Sequence, residues 1–361
     1  MKFVQIPRID DVWDKVTITA LSPSTFLRTE KGCAYQMLAQ KALEIFQDKS
    51  LLLPISKNAV LGIIVHKIYE LTTKKVLKSF ADMSLKWDTL INEKETTLKN
   101  NYITLNNVRL NNYDKRNKCF RTALKMLNNM SVVKSDNKTN ASCYSEYLID
   151  CTDIGLRGII DNLYIANGKV EITDYKSGSV LDEDGLIKEE YIAQMNLYAT
   201  MCKYKGLGQS FTSTLIDING TRFDIDFNLQ KANDYLQRVQ TLIILLNKTV
   251  KNRTFDQVIK GDVEKCQQCS VRHICEKQSF VPNAQFATII GNVSNIISSN
   301  LYELTMASGN KIFVSGLSRY SIEPDYYINK KLSFVNLIKL GTGLESDCYR
   351  VTDNTIIYEL Q

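Results

Sequence analysis

The stretch between Gly155 and Gly178 constrains this chain more than any other. Two β-type runs, Gly155–Ile165 and Lys169–Tyr175, flank the dipeptide Asn167-Gly168. That pair tolerates positive φ at both central positions of a two-residue turn, so it predicts an antiparallel hairpin of defined register. Asp161 stands in an otherwise apolar run, where an ionised carboxylate is costly unless it is paired or bound to a cation. Asp174 and Lys176 are two apart on the following strand and therefore share a face. With the hairpin closed in this way, Asp161 approaches Asp174. Two converging carboxylates and a backbone carbonyl make a hard oxygen site suited to Mg²⁺ or Mn²⁺. A lysine beside such an ion can orient a water and stabilise charge developing on a phosphoryl group. The same spacing also fits a solvent-facing hairpin with an ordinary Asp–Lys pair.

The elements around the hairpin narrow the choice. Residues 1–20 read as extended, and Ser22-Pro23-Ser24 opens a helix that contains Cys33 and the apolar run Tyr35–Leu43. A second helix is expected over Ala59–Phe80, with Ile64, Ile68 and Leu71 at helical spacing and His66 four residues after Gly62. A lone helical histidine is commonly a core or capping residue. A further helix is expected near Cys119–Asn129 and a strand at Tyr147–Ile149. Past the hairpin come an amphipathic helix at Glu189–Tyr204, a strand pair across Phe211–Phe227 turning at Asn219-Gly220, and a long helix at Leu229–Thr249. Gln194 and Tyr198 are four apart and lie on one face of their helix. After Pro282 the chain becomes short strands (Phe286–Ile290, Leu301–Met306, Lys311–Ser315, Leu332–Leu340, Cys348–Thr352 and Ile356–Leu360). About 80 residues of evenly spaced strands read as a small all-β barrel of OB or SH3-like type.

The division expected is therefore an α/β domain over residues 1–280 and the barrel over 281–361. Between Lys94 and Lys138 there are ten Lys/Arg against three Asp/Glu, whereas from Val281 onward the count is six against seven. The basic excess sits in the first half, where it can draw in a polyanion. The density of asparagine there equally fits a solvated, loop-rich insertion. No apolar run approaches the roughly 18–20 residues that span a bilayer, and the N-terminus has no signal-peptide pattern. The expectation is a soluble, cytoplasmic protein. Nine cysteines without a secretory signal argue against a disulfide framework. Cys266-x-x-Cys269-x5-Cys275 gathers three of them within ten residues, the pattern of a metal site that still needs a fourth ligand. Cys119, Cys143, Cys151, Cys202 and Cys348 read as ordinary thiols.

Gly-x-x-Asp at 158–161, Asp-x-Lys at 174–176, Gln-x-x-x-Tyr at 194–198 and an upstream helical histidine occur in this order. Together they resemble the RecB-like branch of the PD-(D/E)XK nucleases, which includes the AddB nuclease domain and the CRISPR-adaptation nucleases. Leu21-Ser22-Pro23-Ser24, with Cys33 downstream, resembles the opening motif of that branch. The resemblance spans about residues 15–280. It implies a central mixed sheet flanked by helices and a metal held by His66, Asp161, Asp174 and the Tyr175 carbonyl, with Lys176 the catalytic lysine. Gln194 and Tyr198 would position that lysine or DNA. Glu146 matches an acidic position of the branch, and it fits a plain strand-edge residue equally well. In the iron–sulfur members the fourth cysteine lies far upstream, and Cys33 stands where that comparison requires it. Cys33, Cys266, Cys269 and Cys275 would then hold a structural 4Fe–4S cluster closing a loop of more than 200 residues. Structural zinc, completed by Cys33 or His273, is the alternative.

The function expected is metal-dependent DNA hydrolysis, most simply by an exonuclease acting on single strands or free ends in repair, recombination or defence. There is no Gly-x-x-x-x-Gly-Lys-Ser/Thr phosphate loop, so a helicase would have to be a separate partner. Two other readings are an endonuclease using the same residues and a nucleic-acid-binding or scaffold subunit. The barrel motivates the latter, because small OB-type barrels often bind single strands. Its near-neutral charge suits a protein partner as well.

Overall fold

The structure, a computed structural model, describes residues 2–102, 104–105, 108–132, 141–261, 266–275, 287–320, 323–341 and 347–361. Strand β1 (Val4–Ile6) is followed by a 3-10 segment, Ile9–Lys15, that buries Trp13, so the first twenty residues are not simply extended. The expected single helix after Ser22 is two, α1 (Phe26–Lys31) and α2 (Ala34–Glu44). Gly32 breaks them, since a Cβ there would lie 2.4 Å from the Arg28 carbonyl oxygen. Cys33 consequently sits at the N-cap of α2 and not inside a helix.

The helix expected over Ala59–Phe80 is also two. Helix α3 (Lys57–Thr73) starts at Ser56, whose hydroxyl accepts from the Ala59 N–H, and stops before Lys75, which turns to φ 59°. Helix α4 (Phe80–Asn101) starts at a reciprocal capping box between Ser79 and Asp82, a Ser-x-x-Asp signal legible in the sequence. The basic, asparagine-rich stretch is no solvated insertion where it is described. It carries the end of α4 and helix α5 (Tyr113–Val132). Leu105, Val108, Leu110, Cys119, Phe120 and Ala123 are buried in the main core, and the buried Glu95 accepts from the Leu110 N–H at 2.8 Å. The apolar side chains of α5 recur at helical spacing, with Arg121 and Lys125 exposed and Arg116 half-buried against Ser84 and Phe120, which a charge count alone cannot reveal.

The central sheet is built from β2 (Ser142–Cys151), β3 (Leu156–Ala166), β4 (Lys169–Lys176), β5 (Ser210–Asp217) and β6 (Arg222–Asp226), in that spatial order. Asn167 and Gly168 adopt φ 51° and 75°, as a type I′ turn requires, and β3 pairs antiparallel with β4. Helix α6 (Glu189–Tyr204) crosses over to β5, which runs parallel to β4. Helix α7 (Leu229–Asn252) buries Ala232, Tyr235, Val239, Leu242, Leu246 and Val250 along one stripe.

The C-terminal strands are β7 (Ala287–Ser298), β8 (Leu301–Thr305), β9 (Lys311–Ser315), β10 (Lys331–Gly341), β11 (Asp347–Arg350) and β12 (Ile356–Leu360). The first five close a barrel in the order β7-β8-β9-β11-β10 and back to β7, with β9–β11 the one parallel pair of that ring. Val293, Tyr302, Leu304, Val314, Leu332 and Phe334 fill it. Strand β12 adds to the outside of β10, and β1 pairs parallel to β12. The sheet containing the barrel therefore includes residues from both ends of the sequence. Tyr358 packs into the main core and donates to the Ser50 carbonyl at 3.1 Å. Among the described residues, no helix is long and apolar enough to cross a membrane.

Candidate active site and cysteine centre

The pairing of β2, β3 and β4 builds one row of acids. Ser145 pairs with Asn162 and Tyr147 with Ile160, which sets Glu146 opposite Asp161. The β3–β4 ladder ends at Asn162–Thr173, one step before Asp161 would meet Asp174. There the strands part, and the Tyr175 N–H donates to Asp161 Oδ2 at 2.7 Å in place of a ladder bond. Helix α3 brings His66 Nδ1 to 3.2 Å from the same oxygen. His66, Glu146 and Asp161 thereby offer three ligand atoms within 4.8 Å of one another, a nitrogen and two carboxylates suited to a hard divalent ion. Desolvation, then the charge of Asp161, push the Glu146 carboxyl above its usual range. Burial pulls His66 down, but the hydrogen bond and charge of Asp161 outweigh it and leave its pKa raised. Glu146 also holds φ 55° in a strand, where a non-glycine residue is strained, and such strain concentrates at functional sites.

Asp174 faces inward. It is buried, with Oδ2 at 2.7 Å from Lys176 Nζ and Oδ1 accepting from Gln194 Nε2 at 2.7 Å. Burial pushes its carboxyl up more than the Lys176 ammonium pulls it down, and Asp161 adds to the rise. Lys176 also donates to Gln194 Oε1 at 2.8 Å. The amide of Gln194 is thus clamped between the acid and the lysine, and Gln194 positions both. A residue that sequence reasoning missed completes the cradle: Tyr191, one turn before Gln194 on α6, lies with its ring centre 4.5 Å from Lys176 Nζ. Its signal was available as the i−3 neighbour of Gln194. Such a cation–π contact is worth about 0.5–2 kcal/mol. Tyr191→Leu is expected to lower turnover roughly tenfold at unchanged KM and melting temperature, with Tyr191→Phe close to the parent. A Leu variant as fast as the parent would remove Tyr191 from the site.

Tyr198 is aimed elsewhere. Its hydroxyl donates to the Ile159 carbonyl at 2.7 Å. At Gly158 a Cβ would lie 2.9 Å from Tyr198 Cε1 and 3.1 Å from Pro23 Cδ. The opening Ser22-Pro23-Ser24, the glycine of Gly-x-x-Asp and the tyrosine of Gln-x-x-x-Tyr are one packing unit that seats strand β3. At Gly62 a Cβ would lie 2.8 Å from Ser177 Oγ, so the glycine before His66 lets α3 approach the end of β4.

These positions fall within one stretch of chain. Residues 20–276 match the family model described as the PD-(D/E)XK nuclease superfamily. The chain belongs to that superfamily. Membership implies a metal-dependent nuclease and a substrate of nucleic acid. No curated protein matches the sequence. Among fifteen matching solved chains is one titled "Crystal structure of SSO0001", 14% identical, covering 50% of this chain and 80% of that one at a TM-score of 0.24, too low to carry an argument.

In this PD-(D/E)XK nuclease the four cysteines singled out from the sequence line one cavity of about 730 Å³. Cys33 comes to it from the N-cap of α2, and Cys266, Cys269 and Cys275 come from the segment beyond α7. Burial pushes the Cys269 thiol up to about 12 against a hydrogen bond with the Val271 backbone, and the charges of Cys275, Cys33 and Cys266 add to the rise. Four thiols lining one cavity offer the donor chemistry of a metal or cluster that would hold them as thiolates. His273, the alternative ligand, does not line the cavity. It is buried, with Nε2 bonded to the Leu51 carbonyl oxygen at 2.8 Å and its ring 4.7 Å from that of Tyr358. Burial pulls its pKa down to about 3, so it is neutral. Next to it, Arg272 donates to the Cys269 carbonyl at 2.7 Å and to Asn336 Oδ1 of β10 at 3.1 Å. The cysteine segment is therefore tied to the barrel on one side and to α2 on the other.

Proposed function

We propose that this nuclease is an iron–sulfur, RecB-like deoxyribonuclease that uses Mg²⁺ or Mn²⁺ to hydrolyse single strands from their free ends. The convergence of His66, Glu146 and Asp161 beside a clamped lysine carries the reading. Those three residues, with Asp174 and the Tyr175 carbonyl, would hold the divalent ion. When bound there, the ion would supply Lewis-acid polarisation of a phosphoryl oxygen and a water of lowered pKa. Lys176, held by Asp174, Gln194 and Tyr191, keeps a positive charge at a defined place where negative charge develops on the phosphate. Gln194 fixes the lysine through one end of its amide and the acid through the other. Tyr198 seats the strand that carries Asp161. Cys33, Cys266, Cys269 and Cys275 would hold the 4Fe–4S cluster as a structural staple, since hydrolysis needs no electron transfer.

Preference for ends and single strands follows the resemblance to end-directed members of the branch, acting in repair, recombination or defence. The ring order of the barrel, with its single parallel pair, is that of an OB-type fold. This supports a role for the barrel in holding a single strand or docking a partner helicase or complex. The test is digestion of end-labelled linear and circular single-stranded DNA with Mg²⁺ or Mn²⁺, using anaerobically purified protein beside Lys176→Ala. The linear strand should be degraded and the circle spared, with degradation lost in the variant. Cleavage of the circle would establish an endonuclease with the same residues. Cleavage of neither would make the binding or scaffold reading the better one.

A further inference from the structure

Three large aliphatic side chains stand in solvent beside the acid row. Ile63, Leu148 and Ile159 are 47%, 53% and 48% exposed. Their placement follows from the sheet. Leu148 pairs with Ile159 in the β2–β3 ladder, and two residues further along the strands stand Glu146 and Asp161, whose carboxylates lie within 4.8 Å of each other. Two residues along a strand cover about 6.6 Å, roughly the reach of one nucleotide. Two residues the other way, Asp150 pairs with Arg157, and their side chains form an ion pair at 3.4 Å. The face therefore reads, in order, metal ligands, an aliphatic pair and a charged pair. On α3, Ile63 precedes His66 by three residues and shares its side of the helix.

We propose that Leu148, Ile159 and Ile63 form the platform on which the base next to the scissile phosphate lies. The proposal rests on the nuclease reading above and adds the subsite for the nucleoside. Continuity with the acid row selects the occupant. A strand whose phosphate is held at His66, Glu146 and Asp161 must place its adjoining nucleoside within one nucleotide of them. An aliphatic surface receives any base through its apolar face without reading its sequence. The stretch beyond, closed by the Asp150–Arg157 pair, limits the platform to about one base.

The experiment uses the full chain carrying Lys176→Ala, so that binding is read without cleavage, with Ca²⁺ present. Anisotropy is measured with fluorescein-labelled single-stranded oligothymidylate and with the same strand made abasic at its labelled end. Leu148→Thr with Ile159→Thr puts a strand-favouring β-branched residue at both positions, and Ile63→Gln keeps the helix. The combined variant should bind the intact strand roughly tenfold more weakly, as expected for losing aliphatic contact with one base. It should bind the abasic strand as the parent does, and the dependence of affinity on salt should not change, because no phosphate contact is lost. The melting temperature should not move, since the side chains are exposed. Equal binding of the intact strand by parent and variant would overturn the proposal, as would an equal loss on both strands. Sedimentation of the parent as a dimer that the variant abolishes would overturn it too, and would give the patch to a second copy of the chain. Failure of the nuclease reading shows separately, as an absence of metal-dependent cleavage by the chain with Lys176 intact.

Discussion

Lys176→Met is expected to lower metal-dependent cleavage by roughly 10²–10³-fold, the cost of removing one preorganised charge from a transition state. The geometry makes the loss specific. The ammonium lies 2.7 Å from Asp174, 2.8 Å from Gln194 and 4.5 Å from the centre of the Tyr191 ring, and no neutral side chain satisfies all three. Lys176→Arg should rescue little, because a planar guanidinium does not fit a cradle shaped for a point charge. The substitution also leaves Asp174 buried without its cation, which costs about 3–5 kcal/mol when one partner of a buried pair is lost. The variant should accordingly melt lower than the parent without metal and recover more on adding Mn²⁺, because the ion then offsets the Asp174 charge in place of the lysine. Equal metal-induced stabilisation of parent and variant would argue that Asp174 never reaches it. The parent should also show an acid limb. Metal binding needs neutral His66, and Asp161 raises the pKa of that histidine. Cleavage is full above the raised value and falls as pH drops through it, measurable as rate against pH at fixed metal.

Cys33→Ser is expected to cost about 3–5 kcal/mol, the scale of opening a very long covalent or metal-closed loop. That corresponds to a fall of roughly 10 °C in melting temperature for a body of this size. Cys33 and Cys266 are separated by more than 200 residues and face one cavity, so a metal or cluster bound by both would close a loop of that length. The loss should propagate to the barrel, because Arg272 and His273 within the cysteine segment hold Asn336 and Tyr358. Cys143→Ser, at an exposed thiol on β2, is the control and should leave the melting temperature unchanged. Visible absorbance of anaerobically purified protein, present in the parent and lost in Cys33→Ser, separates an iron–sulfur cluster from zinc. A variant that melts with the parent would show that Cys33 closes nothing.

Much of the site geometry was legible before any coordinates because its signals are local. Asn167-Gly168 sets a two-residue turn, the turn sets the register, and the register carries Asp161 to the end of the ladder, one step beyond the Asn162–Thr173 pair. Asp174 and Lys176 share a face by the period of a strand, and Gln194 and Tyr198 by that of a helix. Local signals were also present where the reading went astray. Gly32 splits the first helix by sterics, and the Ser79–Asp82 box starts a helix inside what reads as the tail of another.

The amino-acid sequence by itself determined the hairpin, the order of the motifs and the cysteine spacing, since each depends on residues within about one turn of one another. Only the tertiary structure decided the rest. It set the Glu146 carboxylate within 4.8 Å of ligand atoms of His66 and Asp161, by laying β2 beside β3 and bringing His66 over the row. It placed Tyr191 under Lys176, and it brought Cys33 into one cavity with cysteines from the other end of the domain. It closed the barrel through β7–β10 and added β1 to a sheet from the far end of the sequence. These juxtapositions depend on which buried surfaces meet, and that is settled by the burial of apolar area over the whole chain, for which no short pattern codes.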